Sequence, residues 1–343
     1  MNFLNGISVA KTNLKHAEDI DASSTRTTDS IHQGFAPSNS PPYDSSIPGV
    51  TVVCISDTHG KHAGINQIPH ADVLIHAGDL TNTGTMSQIS EFVSWLDCQP
   101  QEHKLFIAGN HDTSIDTEYY IDRGCARFHP KLVKDGVVDI AEYSEKCRQL
   151  VLTAKSTYLE DSSVYLSPVL NESRSAQLVQ SLGLPTNTDI AVEAGVSDSI
   201  NVATDISTTN ASSIPSNPNA IHVYGSPWQP EFCDWAFNLE RGKECIDKWN
   251  LIPSSTDILI THGPPYGYGD RTMNHMNCGC EDLMNIVFKR NSSSSSVGSD
   301  SSFSVPRVHV FGHIHENYGE FRVPFWFRML YLTHPYRCYR LLE

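Results

Sequence analysis

Short hydrophobic runs of three or four residues recur along the chain and each gives way to polar, metal-liking side chains. Val52-Val53-Cys54-Ile55 runs into Asp57 and His59, and Val73-Leu74-Ile75 into Gly78-Asp79. Leu105-Phe106-Ile107-Ala108 leads to Gly109-Asn110-His111-Asp112. Ile258-Leu259-Ile260 leads to His262-Gly263-Pro264-Pro265, and Val308-His309-Val310-Phe311 to Gly312-His313-Ile314-His315. Short runs rich in β-branched residues predict buried strands. Further strands are expected near Val164 and Val223. Between them the period changes. Ile89, Phe92, Val93 and Leu96 recur at helical spacing and predict a helix over 86–98. Ile140, Tyr143, Cys147, Leu150 and Val151 predict another near 138–154, and Leu283, Met284, Ile286 and Val287 a third over 281–290.

The pattern fails in three places. Residues 1–48 are rich in Ser, Thr, Asp, Asn and Pro without periodicity, and read as a disordered tail. Residues 169–219 form a low-complexity insertion in the domain over 49–320, and 291–304 form a Ser-rich loop within it. Residues 321–343 are basic and aromatic, unlike the rest. Pro324 and Pro335 predict that this end fits poorly as central strand and leaves a sheet edge uncovered.

Composition then narrows the partners. A net charge of −15 disfavours stable nucleic-acid binding, which needs Lys and Arg against phosphates. It leaves a phosphate substrate open, because bound cations invert the local charge. The nine Cys are scattered through a large chain and read as reduced thiols, so a cytoplasmic protein is expected. Cys278-Gly279-Cys280, with His275, lacks the paired spacing of a structural zinc site and reads as thiols in a loop. No apolar stretch is long enough for a membrane span.

The strand ends carry the chemistry. Asp57 and His59 sit at i and i+2, so both reach one side of an extended chain. Asp79 has two oxygens and can bridge two cations. Asn110 offers a neutral oxygen, His111 is a candidate acid, and Asp112 is expected to orient its imidazole. His313 and His315 repeat the i, i+2 spacing after the last strand.

In their order, D-x-H, G-D, G-N-H-D, H-G-P and G-H-x-H, these motifs resemble the calcineurin-like metallophosphoesterase superfamily over roughly residues 50–320. The segments His222–Trp228, Phe237–Gly242, Lys248–Pro253 and Gly312–Gly319 are similar to the animal metallophosphoesterase-domain-containing proteins. The resemblance implies an α+β fold, a two-sheet β-sandwich flanked by helices (an αββα arrangement). It also implies a phosphodiesterase with a dinuclear centre, hydrolysing small cyclic nucleotides through a metal-bridging hydroxide. By motif, one ion falls to Asp57, His59 and His315, and the other to Asn110, His262 and His313, with Asp79 between. Manganese is the first expectation, with magnesium, iron or zinc as alternatives. Some relatives carry Gly at the first His of the last motif; this chain has His313. Trp228, Asn238 and Arg241 are the candidate substrate contacts. A protein Ser/Thr phosphatase would show Asp-Arg-Gly after the second motif, where this chain has Leu80-Thr81-Asn82-Thr83-Gly84. A non-catalytic metal-binding scaffold is the alternative of another class.

Overall fold

The computed structural model describes residues 50–65, 68–134, 139–166, 220–289 and 306–316, together with backbone strands at 9–10, 319–323, 327–331 and 337–341. The insertion 169–219, the Ser-rich loop 291–304 and all of the expected tail except residues 9–10 lie outside the described residues.

Each predicted apolar run forms a strand. The first sheet holds β1 (Val9–Ala10), β2 (Val50–Ile55), β3 (Val73–Ala77), β4 (His103–Ile107), β5 (Thr157–Tyr158) and, from the C-terminus, β14 (Arg337–Leu341). Its order is β1-β14-β2-β3-β4-β5, with β2 to β5 mutually parallel. The second sheet holds β6 (Ser162–Leu166), β7 (Ile221–Ser226), β10 (Ile258–Thr261), β11 (Val308–Phe311), β12 (Gly319–Val323) and β13 (Phe327–Tyr331). Its order is β12-β13-β11-β10-β7-β6, and β7, β10, β11 and β13 run parallel. A small third ladder joins β8 (Gln229–Pro230) to β9 (Asn238–Leu239).

Period-2 alternation builds the layers. Val52, Cys54, Ile75 and Ile107 point to one side and pack with Val223, Ile258, Ile260, Val308 and Val310 of the other sheet. Their neighbours Val53, Ile55, Leu74 and Phe106 point to the opposite side. There they meet Ile89, Phe92 and Leu96 of α1 (Met86–Asp97) and Cys147 and Val151 of α2 (Ile140–Leu152). On the far side, Tyr224, Leu259 and Phe311 pack with Cys245 and Trp249 of α3 (Lys243–Trp249) and Leu283 and Val287 of α4 (Glu281–Lys289). The result is the expected helix–sheet–sheet–helix sandwich. Both faces of the described central strands are covered, so these strands read as largely apolar runs.

Helix starts are chemically marked. Thr85 caps α1 through a capping box with Gln88, and Asp139 accepts from the Glu142 amide at the start of α2. The cap at Thr85 leaves Asp79 outside the helix and available to the site.

The expectation for the C-terminal end needs correction. Its backbone forms strands, with β13 between β11 and β12, and β14 between β1 and β2. Pro324 and Pro335, which argued against central strands, fall outside the described residues, between strand boundaries.

Candidate metal centre

Five parallel strands, β2, β3 and β4 of one sheet and β10 and β11 of the other, end on one rim. Backbone hydrogen bonds knit the loops that follow them. The Asp57 amide donates to the Gly78 carbonyl at 3.0 Å, and the Gly312 amide to the His262 carbonyl at 2.9 Å. The turns are sharp. Asp57, His59, Asp79 and His313 all hold positive φ, at 53°, 44°, 54° and 72°. A non-glycine residue in that region costs about 1–3 kcal/mol and gathers at functional sites. The glycines beside them are required by contact. A Cβ on Gly312 would stand 2.3 Å from Asp57 Oδ2, and one on Gly109 would stand 2.3 Å from Asp79 Oδ1.

Two donor groups meet at Asp79. On one side are Asp57, His59 and His315, whose donor atoms and one Asp79 oxygen lie within 4.8 Å of one another. His315 Nε2 is 3.2 Å from Asp57 Oδ1 and 3.2 Å from His59 Nε2. On the other side Asn110 Oδ1 lies 2.9 Å from both His262 Nε2 and His313 Nδ1. Asp79 faces both groups, with Oδ2 3.6 Å from His59 Nε2 and Oδ1 3.4 Å from His262 Nε2. All seven residues expected as metal ligands therefore converge.

Electrostatics fit a cation. Asp57 and Asp79 are almost fully buried, and buried carboxylates need compensating positive charge. Burial raises the Asp79 carboxyl, but the facing His262 charge and its hydrogen bond outweigh it and hold it well below the usual range. Burial likewise opposes the His262 charge, yet Asp79 and then Asp57 push its imidazole up to about 9. His313 goes the other way, down to about 3, because burial and the His262 charge both disfavour its proton. The Ala77 carbonyl accepts from His262 Nδ1 at 3.0 Å, which turns Nε2 toward the centre. A carbonyl behind a ligating imidazole sets its tautomer and orientation. Mixed carboxylate, amide oxygen and imidazole donors, cradled by glycines, suit divalent transition metals.

His111 is at the rim. Its amide donates to Asp79 Oδ1 at 2.9 Å, and its ring stacks on Trp235, with centroids 4.1 Å apart, and meets His59 edge-on. Asp112 does not orient that ring, contrary to expectation. The Asn82 carbonyl does, accepting from Nδ1 at 2.8 Å. The Asp112 carboxylate turns inward instead. It accepts from the amides of Leu80, Thr81 and Gly109 and from the Thr81 hydroxyl, at 2.7–3.1 Å. Burial and the Asp79 charge push it up to about 6 against those donors. Asp112 ties the second motif to the third.

The three expected substrate contacts are also spent elsewhere. Trp228 donates to Asp161 Oδ2 at 3.1 Å and lies under the Lys248 ammonium. Asn238 donates to the Phe232 carbonyl at 3.2 Å. Arg241 donates to the carbonyls of Gly279 and Cys278, both at 2.8 Å. Each supports a loop. The side chains that flank the centre are Trp235, against His111, and Phe232, edge-on to His313 at 5.0 Å. Their loop is held by Arg127 and Tyr119, which donate to the Asp234 carbonyl, and by Asp116, which accepts from the Phe237 amide at 2.8 Å. The signal for them in the sequence was the aromatic density of 232–237. None of the five strand-end motifs falls in it.

Known proteins agree with this geometry. The calcineurin-like phosphoesterase family profile matches residues 50–317. Metallophosphoesterase domain-containing protein 1 of Homo sapiens and that of Mus musculus are each 35% identical over 279 residues, covering 79% of this chain and 63% of theirs. A UPF0046 protein of Caenorhabditis elegans is 32% identical over 272 residues, 79% of this chain and 52% of its own. The chain thus spans less than two thirds of the length of these relatives. No helix among the described residues is long and apolar enough to cross a membrane. With its ordered strand-end motifs gathered on one rim, the chain belongs to the calcineurin-like phosphoesterase family.

Proposed function

We propose that this protein is a dinuclear phosphodiesterase that hydrolyses small phosphodiesters such as cyclic nucleotides. The observation that carries the reading is Asp79, a buried carboxylate with one oxygen toward the Asp57–His59–His315 group and the other toward Asn110–His262–His313. Those groups would each hold one ion, with manganese the first choice and magnesium, iron or zinc the alternatives. When bound, such ions supply the positive charge that binds a phosphate and lowers the pKa of a water.

The remaining chemistry belongs to the chain. In the neutral His111 ring the proton sits on Nδ1, because the Asn82 carbonyl can only accept. In the imidazolium form Nε2 carries the second proton and gives it to the leaving oxygen as the P–O bond breaks, which returns the neutral Nδ1–H ring; the role is worth about 10²–10⁴-fold. Stacking on Trp235 holds the ring plane while the proton moves. Trp235 and Phe232 flank the centre against His111 and His313. A cytoplasmic setting remains part of the proposal.

The test is hydrolysis of bis-p-nitrophenyl phosphate and 2′,3′-cyclic AMP by metal-stripped protein, with and without Mn²⁺, beside His313→Ala. Mn-dependent turnover lost in the variant is the expected result. A folded protein that binds Mn²⁺ and turns over neither substrate overturns the proposal.

A further inference from the structure

Outside the candidate metal centre, a second set of metal-liking groups lies on the opposite helical layer. Cys245 on α3, Cys280 just before α4 and Asp282 in its first turn place one donor atom each within 4.8 Å of one another. Both thiols are buried, with 0% and 1% of their surface exposed. Sequence spacing hides the pairing. Cys278-Gly279-Cys280 suggests that the neighbours act together, whereas the chain turns Cys280 inward to Cys245 and its hydrogen-bonded sulfur.

The surroundings favour a thiolate at Cys280, whereas the hydrogen bond to Cys280 and burial push the Cys245 thiol up, so its proton leaves only as an ion binds. Trp249 Nε1 donates to Cys280 Sγ at 3.2 Å, and the Leu283 amide donates to the same sulfur at 3.3 Å. N–H groups aimed at a sulfur stabilise its anionic, ligating form, and they are the outer contacts that orient metal ligands. The Gly242 amide donates to Asp282 Oδ2 at 2.9 Å and fixes that carboxylate against the start of α3. Arg241 is pinned beside the pair by the Gly279 and Cys278 carbonyls. Charges then balance. Two thiolates and one carboxylate are matched by a divalent ion and the Arg241 guanidinium, so a buried site carries no net charge.

We propose that Cys245, Cys280 and Asp282 form a separate cation site for a thiophilic ion such as zinc, stapling α3 to α4. Thiolates select zinc and similar soft ions over manganese or magnesium. This site therefore does not compete with the oxygen- and imidazole-rich centre. It stands whether or not that centre is a phosphodiesterase.

The experiment uses Cd²⁺ as the probe on the reduced full chain, its other centre preloaded with Mn²⁺. Cadmium bound by thiolates gives an ultraviolet charge-transfer band, and the candidate metal centre contains no Cys to produce one. Expected is a band that saturates at one equivalent, is displaced by Zn²⁺, and is lost in Cys245→Ser and in Cys280→Ser. Asp282→Asn, which keeps both thiols and their packing, lowers Cd²⁺ affinity by about 10–100-fold. It also covers the case in which a serine variant fails to fold. No band in the wild type overturns the site. So does a band that persists in folded Cys245→Ser, or one that Asp282→Asn leaves at full affinity, which would mark adventitious thiols.

Discussion

Gly312→Ala tests whether the rim is as tightly built as its distances imply. The new Cβ would stand 2.1 Å from Ser56 Oγ and 2.3 Å from Asp57 Oδ2, where ordinary contact begins at 3.4 Å. Asp57 must retreat by about 1 Å, or β11 must move with its load of His313 and His315. Overpacking of this kind costs roughly 1–3 kcal/mol of stability. The effect on metal is larger. Carboxylate–metal bonds are about 2.0–2.2 Å long, so a 1 Å retreat removes the ligand. Loss of a mere supporting contact costs about 10–100-fold in affinity, and losing a ligand costs at least that. Asp57 Oδ1 and Oδ2 also accept from the His313 amide at 3.1 and 3.2 Å, so the disturbance reaches both donor groups. Gly64→Ala is the control, since nothing lies within 4 Å of a Cβ there and the residue is exposed. Mn²⁺ content after equilibrium dialysis, with urea unfolding alongside, separates the two effects. Gly312→Ala that folds and holds Mn²⁺ at wild-type affinity would refute the steric argument.

Three further outcomes follow from particular contacts. His111→Ala lowers turnover of bis-p-nitrophenyl phosphate by about 10²–10⁴-fold with Mn²⁺ content unchanged; loss of metal instead would make it a ligand. Asp112→Ala strands buried donors at Leu80, Thr81 and Gly109, and at about 1–3 kcal/mol each it destabilises the fold by roughly 3 kcal/mol or more in urea; a variant of normal stability and no activity would restore a catalytic role. Burial holds His76 and His309 down to about 3, against an ordinary 6.5, so both are neutral in the folded chain and protonate earlier in the unfolded one. Their contribution is full above pH 6.5 and falls as pH drops toward 3, by about 1.4 kcal/mol per unit for each. Their joint share of the unfolding free energy, read from urea curves, should fall by roughly 3 kcal/mol between neutral pH and pH 5.5, and His309→Phe should remove about half of that share.

What could be read from the sequence divides along a physical line. The sandwich was legible because its central strands are buried on both faces, so runs such as Val73–Ile75 and Ile258–Ile260 carry no polar residue that would blur them. The metal-liking side chains were legible because each follows its strand within a few residues and strand ends share a rim. Anything set by contact between distant segments was not. Asp112 follows His111 directly, which suggested a carboxylate behind an imidazole, yet the turn sends it toward Leu80 and Thr81. Arg241 looked like a free cation because nothing in sequence shows the Gly279 and Cys278 carbonyls that bind it. Trp228 is a candidate substrate contact in the sequence, but Asp161 and Lys248 enclose it in the fold. The same reasoning explains Cys245 and Cys280, whose pairing depends on how α3 meets α4.

These misreadings share a cause that bears on function. A ligand residue is fixed by its own strand, so its neighbours in sequence predict its place. The side chains that flank the centre are fixed by a loop that crosses from elsewhere, 231–237, held by Arg127, Tyr119 and Asp116. Cys233, Asp234 and Phe237 hold positive φ, at 51°, 53° and 55°, so the loop stores strain that these contacts must offset. Releasing one clamp should therefore loosen Trp235 and Phe232 while leaving the ligand residues in place. Arg127→Ala is expected to raise KM for aryl phosphodiesters and, through the looser Trp235 behind His111, to lower kcat, with Mn²⁺ content nearly unchanged, since the clamp touches neither donor group. Equal losses in KM and Mn²⁺ binding would show that loop and metal centre are one rigid unit, and that selectivity here cannot be altered without dismantling the site.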